Sequence, residues 1–304
     1  MYVLLREASA AKNLRDLLPA ITVENARRFA FATDDRHPTD LINEGSIDNN
    51  LRIAVIAGLD PITAIRIATI NGAEAIGLKD RGAIAPGRRA DLIITPSIEN
   101  FQAVQVFSGG RLVARENHPL TGWAQANADE KPVRNTIHLK SADISLRIEA
   151  SSNASGSRIR VIEIVPDQLI TKERIMEPSI INGEAIAAPE RDLLKLAVIE
   201  RHRYTGRTGL GFIHGLGIKN GAIASSVGHD CHNITVAGTN DSDMLKAIEA
   251  VRECGGGLVA ALNKKIIACV PLPIAGLMSD QSVETVCKQM EELLDSVEKL
   301  GSVY

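Results

Sequence analysis

Two short apolar runs, Tyr2-Val3-Leu4-Leu5 and Arg28 to Thr33, each followed by helix-forming sequence, constrain the first quarter of this chain more than any other feature. The segment Ala10 to Leu18 is the helix-former after the first run, and Pro19 closes it. A loop rich in Asp, Gly and Asn follows the second run. Beyond it, Ile47 to Ile56 and Pro61 to Ile70 carry apolar residues at helical spacing, with Gly58-Leu59-Asp60-Pro61 as stop, cap and helix-opening proline. Short strands alternating with helices predict a parallel α/β arrangement.

At Gly77 the texture changes. Gly82-Ala83-Ile84-Ala85-Pro86-Gly87-Arg88-Arg89-Ala90-Asp91-Leu92-Ile93-Ile94 places turn residues between β-prone pieces, which predicts a small hairpin-rich sheet. Val104 to Phe107 and Arg111 to Ala114, either side of Ser108-Gly109-Gly110, predict a second hairpin. The small polar run Ser151 to Ser157 reads as a loop or linker. Thereafter β-like and helical pieces alternate: Leu196 to Ile199, Ile234 to Ala237, a helix over Ser242 to Cys254, apolar runs around Gly257 and Ile266, and an amphipathic helix over Val283 to Leu300. That portion reads as an α+β or α/β domain. The expected division is 1–78, 79–150 and 151–304.

Several function classes are disfavoured by composition. A net charge of -3, with Lys and Arg spread along the chain, gives no basic stripe for phosphates, and aromatic residues make up only 3%. Polymeric nucleic acid is therefore not expected as a partner. No run of about eighteen uncharged apolar residues is present, so no membrane-spanning segment is expected. The first residues lack a basic region before an apolar core, and the expected compartment is the cytoplasm. Cys231, Cys254, Cys269 and Cys287 are too widely spaced for a Cys-x-x-Cys metal knuckle and read as reduced thiols.

Asp34 follows the apolar strand at the point where a polar loop begins. In a (β/α) barrel that is the face where catalytic residues collect. A carboxylate there can bind a divalent metal and exchange a proton with metal-bound water, whose pKa falls toward ~7. A cap or turn role for Asp34 is the plain alternative. Arg6, Glu7 and Ser9, at the end of the preceding strand, share that face and either contact a substrate or order the loops. His229 and His232 in Gly228-His229-Asp230-Cys231-His232-Asn233 read as a pair on one side of a strand. They supply two metal ligands where three or four are needed, so a loop-ordering or substrate-covering role is favoured. The glycine runs Thr208 to Phe212 and Gly255 to Gly257 lack the patterns of phosphate-binding loops and read as turns or close packing.

Larger pieces carry a family resemblance. Thr33-Asp34-Asp35-Arg36-His37-Pro38, Ile65-Arg66-Ile67-Ala68-Thr69-Ile70-Asn71-Gly72-Ala73-Glu74 and Gly82 to Leu92 resemble, in order, the last barrel strand, the final helix and the returning β-domain strands of the amidohydrolase superfamily. Leu5-Arg6-Glu7-Ala8-Ser9-Ala10-Ala11-Lys12-Asn13-Leu14 and Ala224 to Asn233 resemble segments of the microbial adenine deaminase family. The resemblance implies an α/β fold: the end of an amidohydrolase (β/α) barrel, a small urease-like β domain and a C-terminal α+β domain. It implies hydrolytic deamination of adenine to hypoxanthine and ammonia with manganese or iron, two ions in the complete enzyme. Asp34 matches the family's last-strand metal ligand and proton shuttle.

At most two strand–helix units precede the β-rich portion, where a barrel needs about eight. The family's His-x-His, mid-barrel carboxylate and later histidines have no matching positions. The chain is thus expected to be an incomplete portion, inactive alone. Two further readings stay open: an active half that needs a partner carrying the missing barrel strands, and a non-catalytic binding module in which His229 and His232 bind another ligand. Homo-oligomerisation or pairing with the missing barrel half is expected, because open strand edges and bare apolar helix faces promote association.

Overall fold

The computed structural model describes residues 1–120, 131–139, 144–150, 156–166 and 170–302. They fall into two compact units, Met1–Asn127 and Ala128–Tyr304.

In the first unit, β1 (Val3–Arg6) and β2 (Phe29–Ala32) pair in parallel, with Val3 opposite Phe29 and Arg6 opposite Ala32. Parallel register brings both C-terminal strand ends to the same edge, so Arg6 and the residues after Ala32 meet there. The expected helix over Ala10 to Leu18 shrinks to one turn, α1 (Leu14–Leu17), followed by a 3-10 turn at Leu18–Ala20 that contains Pro19. Local hydrogen bonding explains the loss. Asn13 Oδ1 accepts from Arg6 N at 2.8 Å, Asn13 N donates to Arg6 O at 3.0 Å, and Glu7 bridges Lys12. Those bonds fold residues 7–13 into a tight loop and take the amides that a helix start would use.

After β2 come α2 (Pro38–Asn43), α3 (Ile47–Ile56) and α4 (Pro61–Arg66), the last continuing through a π-helical turn at Ile67–Asn71 into α5 (Gly72–Ala75). Asp60 caps α4 by accepting from Thr63 N at 2.8 Å, a contact worth about 1 kcal/mol. Ala54 and Ile67 pack with Leu5, Leu14, Phe29 and Phe31 into the core of this unit. Burying each large side chain contributes roughly 1.5–3 kcal/mol. Two buried asparagines then fix the helices to the strand. Asn50 Nδ2 donates to Ala32 O at 2.9 Å, and Asn71 Nδ2 donates to Ala26 O at 2.9 Å and Phe29 O at 3.0 Å.

Gly82, at φ +86°, passes the preceding helix so closely that a Cβ there would lie 2.8 Å from Ile70 Cα. The expected first hairpin does not form. Residues 82–91 are turns and extended connections, and β3 (Leu92–Ile94) pairs instead with β4 (Gln105–Ser108). The second hairpin does form, from β4 and β5 (Arg111–Arg115), and β6 (His118–Pro119) completes the antiparallel order β3-β4-β5-β6.

The second unit is built on an eight-stranded sheet. Its strands are β7 (Ile159–Ile164), β8 (Thr171–Met176), β11 (Leu193–Ile199), β12 (Thr208–His214), β13 (Ala222–Ser225), β14 (Ile234–Gly238), β15 (Gly257–Leu262) and β16 (Lys265–Pro271). Their spatial order is β16-β15-β13-β14-β11-β12-β7-β8. A separate hairpin, β9 (Ser179–Ile181) and β10 (Glu184–Ile186), turns through Asn182-Gly183, both at positive φ, as a two-residue hairpin loop demands.

Period-two alternation decides what covers each face. Val259 and Ala261 of β15, with Ala222 and Ala224 of β13, pack under Met244, Ala247, Ile248 and Val251 of α6 (Asp241–Glu253). Leu258, Ala260 and Ile223 point the other way, against Val286, Met290 and Leu293 of α7 (Val283–Lys299). The result is a helix on either side of the sheet. Leu139 and Leu146 also lie in the α6-side core and so pack within the second unit. The small polar run at residues 151–155 lies outside the described residues. Among the described residues, no helix is long and apolar enough to cross a membrane.

Candidate active site at the ends of the parallel strands

Asp34 stands two residues beyond β2 with φ +61°, in the left-handed region that side chains other than Asn, Asp and Gly rarely occupy. Its own carboxylate supports that backbone: Oδ1 accepts from Asp35 N at 3.0 Å. Oδ2 accepts from Arg6 Nη1 at 2.6 Å across the two strand ends. Both side chains are partly open to water, 42% for Asp34 and 32% for Arg6. An ion pair so exposed is worth at most about 1 kcal/mol, so its main effect is to orient the carboxylate.

Behind the pair lies a net of bonds that shapes the loops. Ser9 N donates to Asp35 O at 3.1 Å, Ser9 Oγ donates to Asp40, and His37 N donates to Ser9 Oγ at 2.8 Å. Arg36 donates to Glu7 O at 3.2 Å and to Asp40 O at 3.3 Å, and pairs with Glu44 at 2.5 Å. Glu7 is buried, 8% exposed. Burial pushes its carboxyl pKa up, against the pull of Lys12, Arg15 and Arg36. Of the three residues expected beside Asp34, Arg6 touches it, while the Ser9 hydroxyl and the Glu7 backbone are engaged in ordering the loops.

His229 and His232 lie elsewhere, in the turn between β13 and β14 of the second unit. They are three positions apart and not on a strand, so the expected one-sided pairing by pleat does not apply. Instead a tight turn, closed by His232 N donating to Gly228 O at 2.5 Å, sets the rings edge to face with centroids 4.9 Å apart. His232, at φ +49°, has a buried Nδ1 without a hydrogen-bond partner.

The residue that anchors this turn was not legible in the sequence. Arg201 is 1% exposed and donates to the carbonyls of His232, Ala275 (3.1 Å) and Thr136 (3.4 Å) and to Thr136 Oγ1 (3.3 Å). Burial lowers its pKa from the usual guanidinium value. Ile199-Glu200-Arg201-His202-Arg203 reads as a charged surface run. The available signal was position alone, because Arg201 directly follows the buried strand β11. Its neighbour Glu200 closes the adjoining loop. Burial pushes Glu200 up, but bonds from Thr205 Oγ1 and N and from the amides of Arg203 and His202 outweigh it and bring the carboxyl to about 2.

Comparison with known proteins joins the two units. Residues 3–113 match the amidohydrolase family model, and residues 168–304 match the adenine deaminase C-terminal domain. Adenine deaminase 2 of Carboxydothermus hydrogenoformans is 47% identical over 303 residues, covering 99% of this chain and 52% of that protein. The chain is thus similar to adenine deaminases over nearly its whole length. Adenine deaminases of Desulfatibacillum aliphaticivorans and Lysinibacillus sphaericus are each 43% identical, with 52% and 51% of their lengths covered. The chain thus spans about half the length of the curated relatives it matches.

Amidohydrolases are metal-dependent hydrolases, and Asp34 lies within the segment that matches that family. Among the described residues, however, no group of three or more His, Cys, Asp or Glu side chains is placed to hold a metal ion. Asp34 faces the guanidinium of Arg6. One carboxylate supplies one of the three or four ligands such a metal takes. The described residues do not by themselves fit a catalytic metal.

Proposed function

We propose that this chain contributes to the hydrolytic deamination of adenine to hypoxanthine and ammonia, with Asp34 as its reacting carboxylate. The observation that carries the reading is the placement of Asp34 at the C-terminal end of a parallel strand, oriented by Arg6 from the neighbouring strand end, in a chain 47% identical to an adenine deaminase. A purine losing its amino group needs one proton removed from the attacking water and one delivered to the departing amine. A single carboxylate at an open strand end can accept the first and return it as the second. Arg6 holds that carboxylate, while Glu7 and Ser9 shape the loop above it.

The other metal ligands are proposed to come from barrel strands outside this sequence, in the same longer protein or in a partner chain. Manganese or iron is the proposed metal. A second copy of the chain or the missing barrel half is proposed to cover the open edges of β1 and β2. The His229–His232 turn is proposed as a purine-contacting or loop-ordering element, and not as a metal site.

Co-expression with the N-terminal half of the Carboxydothermus relative, followed by a hypoxanthine assay with added manganese, tests this reading. The chain alone should give no turnover. The complemented pair should give turnover that falls at least about 100-fold in Asp34→Asn, the size of a general acid–base contribution. Turnover by the chain alone would overturn the need for outside ligands, and an active Asp34→Asn pair would remove Asp34 from the chemistry.

A further inference from the structure

The end of α6 brings two sulfurs together. Cys254 is the C-cap of that helix, and Cys269 lies in β16, in register with Val259 of β15. After Cys254 the chain reverses through Gly255 (φ +74°) and Gly256 (φ +123°), a conformation that a Cβ-bearing residue would enter only with strain. A Cβ on Gly256 would also lie 2.3 Å from Gly276 Cα, so packing fixes the reversal. Cys254 Sγ and Cys269 Sγ are consequently 3.4 Å apart. Both residues are partly exposed, whereas Cys287 is buried and Cys231 is exposed.

We propose that Cys254 and Cys269 form an oxidisable thiol pair, which hydrogen peroxide converts into an intramolecular disulfide at the junction of α6 and β16. The sulfurs need to approach by only about 1.4 Å to reach the ~2.04 Å of a disulfide bond. The two thiols differ in readiness. The hydrogen bond from Cys269 lowers the Cys254 pKa to about 7 against burial and the Glu253 carboxylate, while the same bond and burial push Cys269 up. Cys254 is therefore the attacking sulfur and Cys269 the resolving one.

The electrons balance in two steps. The Cys254 thiolate attacks one peroxide oxygen, the O–O bond breaks, and hydroxide leaves to become water on taking a proton, giving Cys254 sulfenic acid. Cys269 then attacks the sulfenyl sulfur, the S–O bond breaks, and the oxygen departs as a second water with the Cys269 proton. Two thiols and one peroxide become one disulfide and two waters. The bridge fastens the end of α6 to β16, and a thiol reductant reverses it. This modification is independent of Asp34 and of the deamination proposal.

The test is peroxide treatment of the reduced full chain and of Cys231→Ser, read by intact mass and non-reducing peptide mapping. Both proteins should lose the mass of two hydrogens and yield one cross-linked peptide joining Cys254 to Cys269, released by dithiothreitol. Cys269→Ser should instead accumulate a dimedone-reactive sulfenic acid at Cys254. Sulfinic acid at Cys254 with Cys269 still a free thiol, or oxidation confined to Cys231 with the pair untouched, would overturn the proposal.

Discussion

Replacement of Arg201 by lysine should damage the second unit more than replacement by methionine, although lysine keeps the charge. The guanidinium is 1% exposed and reaches three separate segments, through Thr136, His232 and Ala275. Arg201→Met removes all of those donors and leaves two well-aligned carbonyls unpaired, at about 1–3 kcal/mol each. It also relieves the desolvation of a buried cation, an effective penalty of several kcal/mol. The difference should be a net loss of about 2 kcal/mol. Arg201→Lys recovers no desolvation, because an ammonium stays buried, and a single point of donation cannot span the three segments. Its loss should approach the roughly 3–5 kcal/mol seen when a buried charge loses its partners. Against a domain stability of about 5–15 kcal/mol, that is a large fraction. Equilibrium urea unfolding monitored by far-UV circular dichroism gives the order directly, and hydrogen exchange at residues 228–233 reports release of the histidine turn. A lysine variant within 1 kcal/mol of the parent, or a methionine variant worse than lysine, would refute the reasoning.

Three other outcomes follow from the same geometry. Gly276→Ala puts a Cβ 2.6 Å from Arg201 Nη1 at φ +71°, and should cost about 2–3 kcal/mol in the same unfolding assay; in the Arg201→Met background the added cost should shrink, because the clash partner is gone. Glu7 has a raised folded pKa, so its contribution to stability is fully present below the unfolded value of 4.5 and is lost as pH rises through the folded value. Glu7→Gln should therefore gain on the parent as pH rises from below 4.5 to 7 in parallel denaturant titrations, and a constant gap would contradict it. Glu200 has the opposite sign. With its carboxyl lowered to about 2, stability is present above 4.5 and lost as pH falls toward 2, so the deficit of Glu200→Gln at pH 7 should close across that window.

Much of the secondary structure followed from local chemistry. Ile47–Ile56 formed as a helix with the limits its apolar spacing predicts, and the hairpin at Ser108-Gly109-Gly110 formed where turn residues separate β-prone runs. Local reading failed where a side chain competed for the backbone. Asn13 shortened the helix expected from Ala10, and the turns at residues 82–91 replaced a hairpin. The histidine pair fails for a different reason: His229 and His232 are three positions apart and would face opposite sides of a strand, and it is the turn closed at Gly228 that brings their rings together.

By itself, the sequence determined the strand and helix periods, the family resemblance, and the candidacy of Asp34, because each depends on residues close together in the chain. Tertiary structure decided which groups face one another. Arg6 meets Asp34 across 28 residues, Arg201 ties segments up to 74 residues away, and Cys254 meets Cys269 only because the chain reverses at Gly255 and Gly256. Those pairings depend on parallel register, on burial that denies charged groups water, and on close backbone packing. Asp34 thus remains the carboxylate at the strand end, now with a partner in Arg6 and with no cluster of metal ligands around it among the described residues.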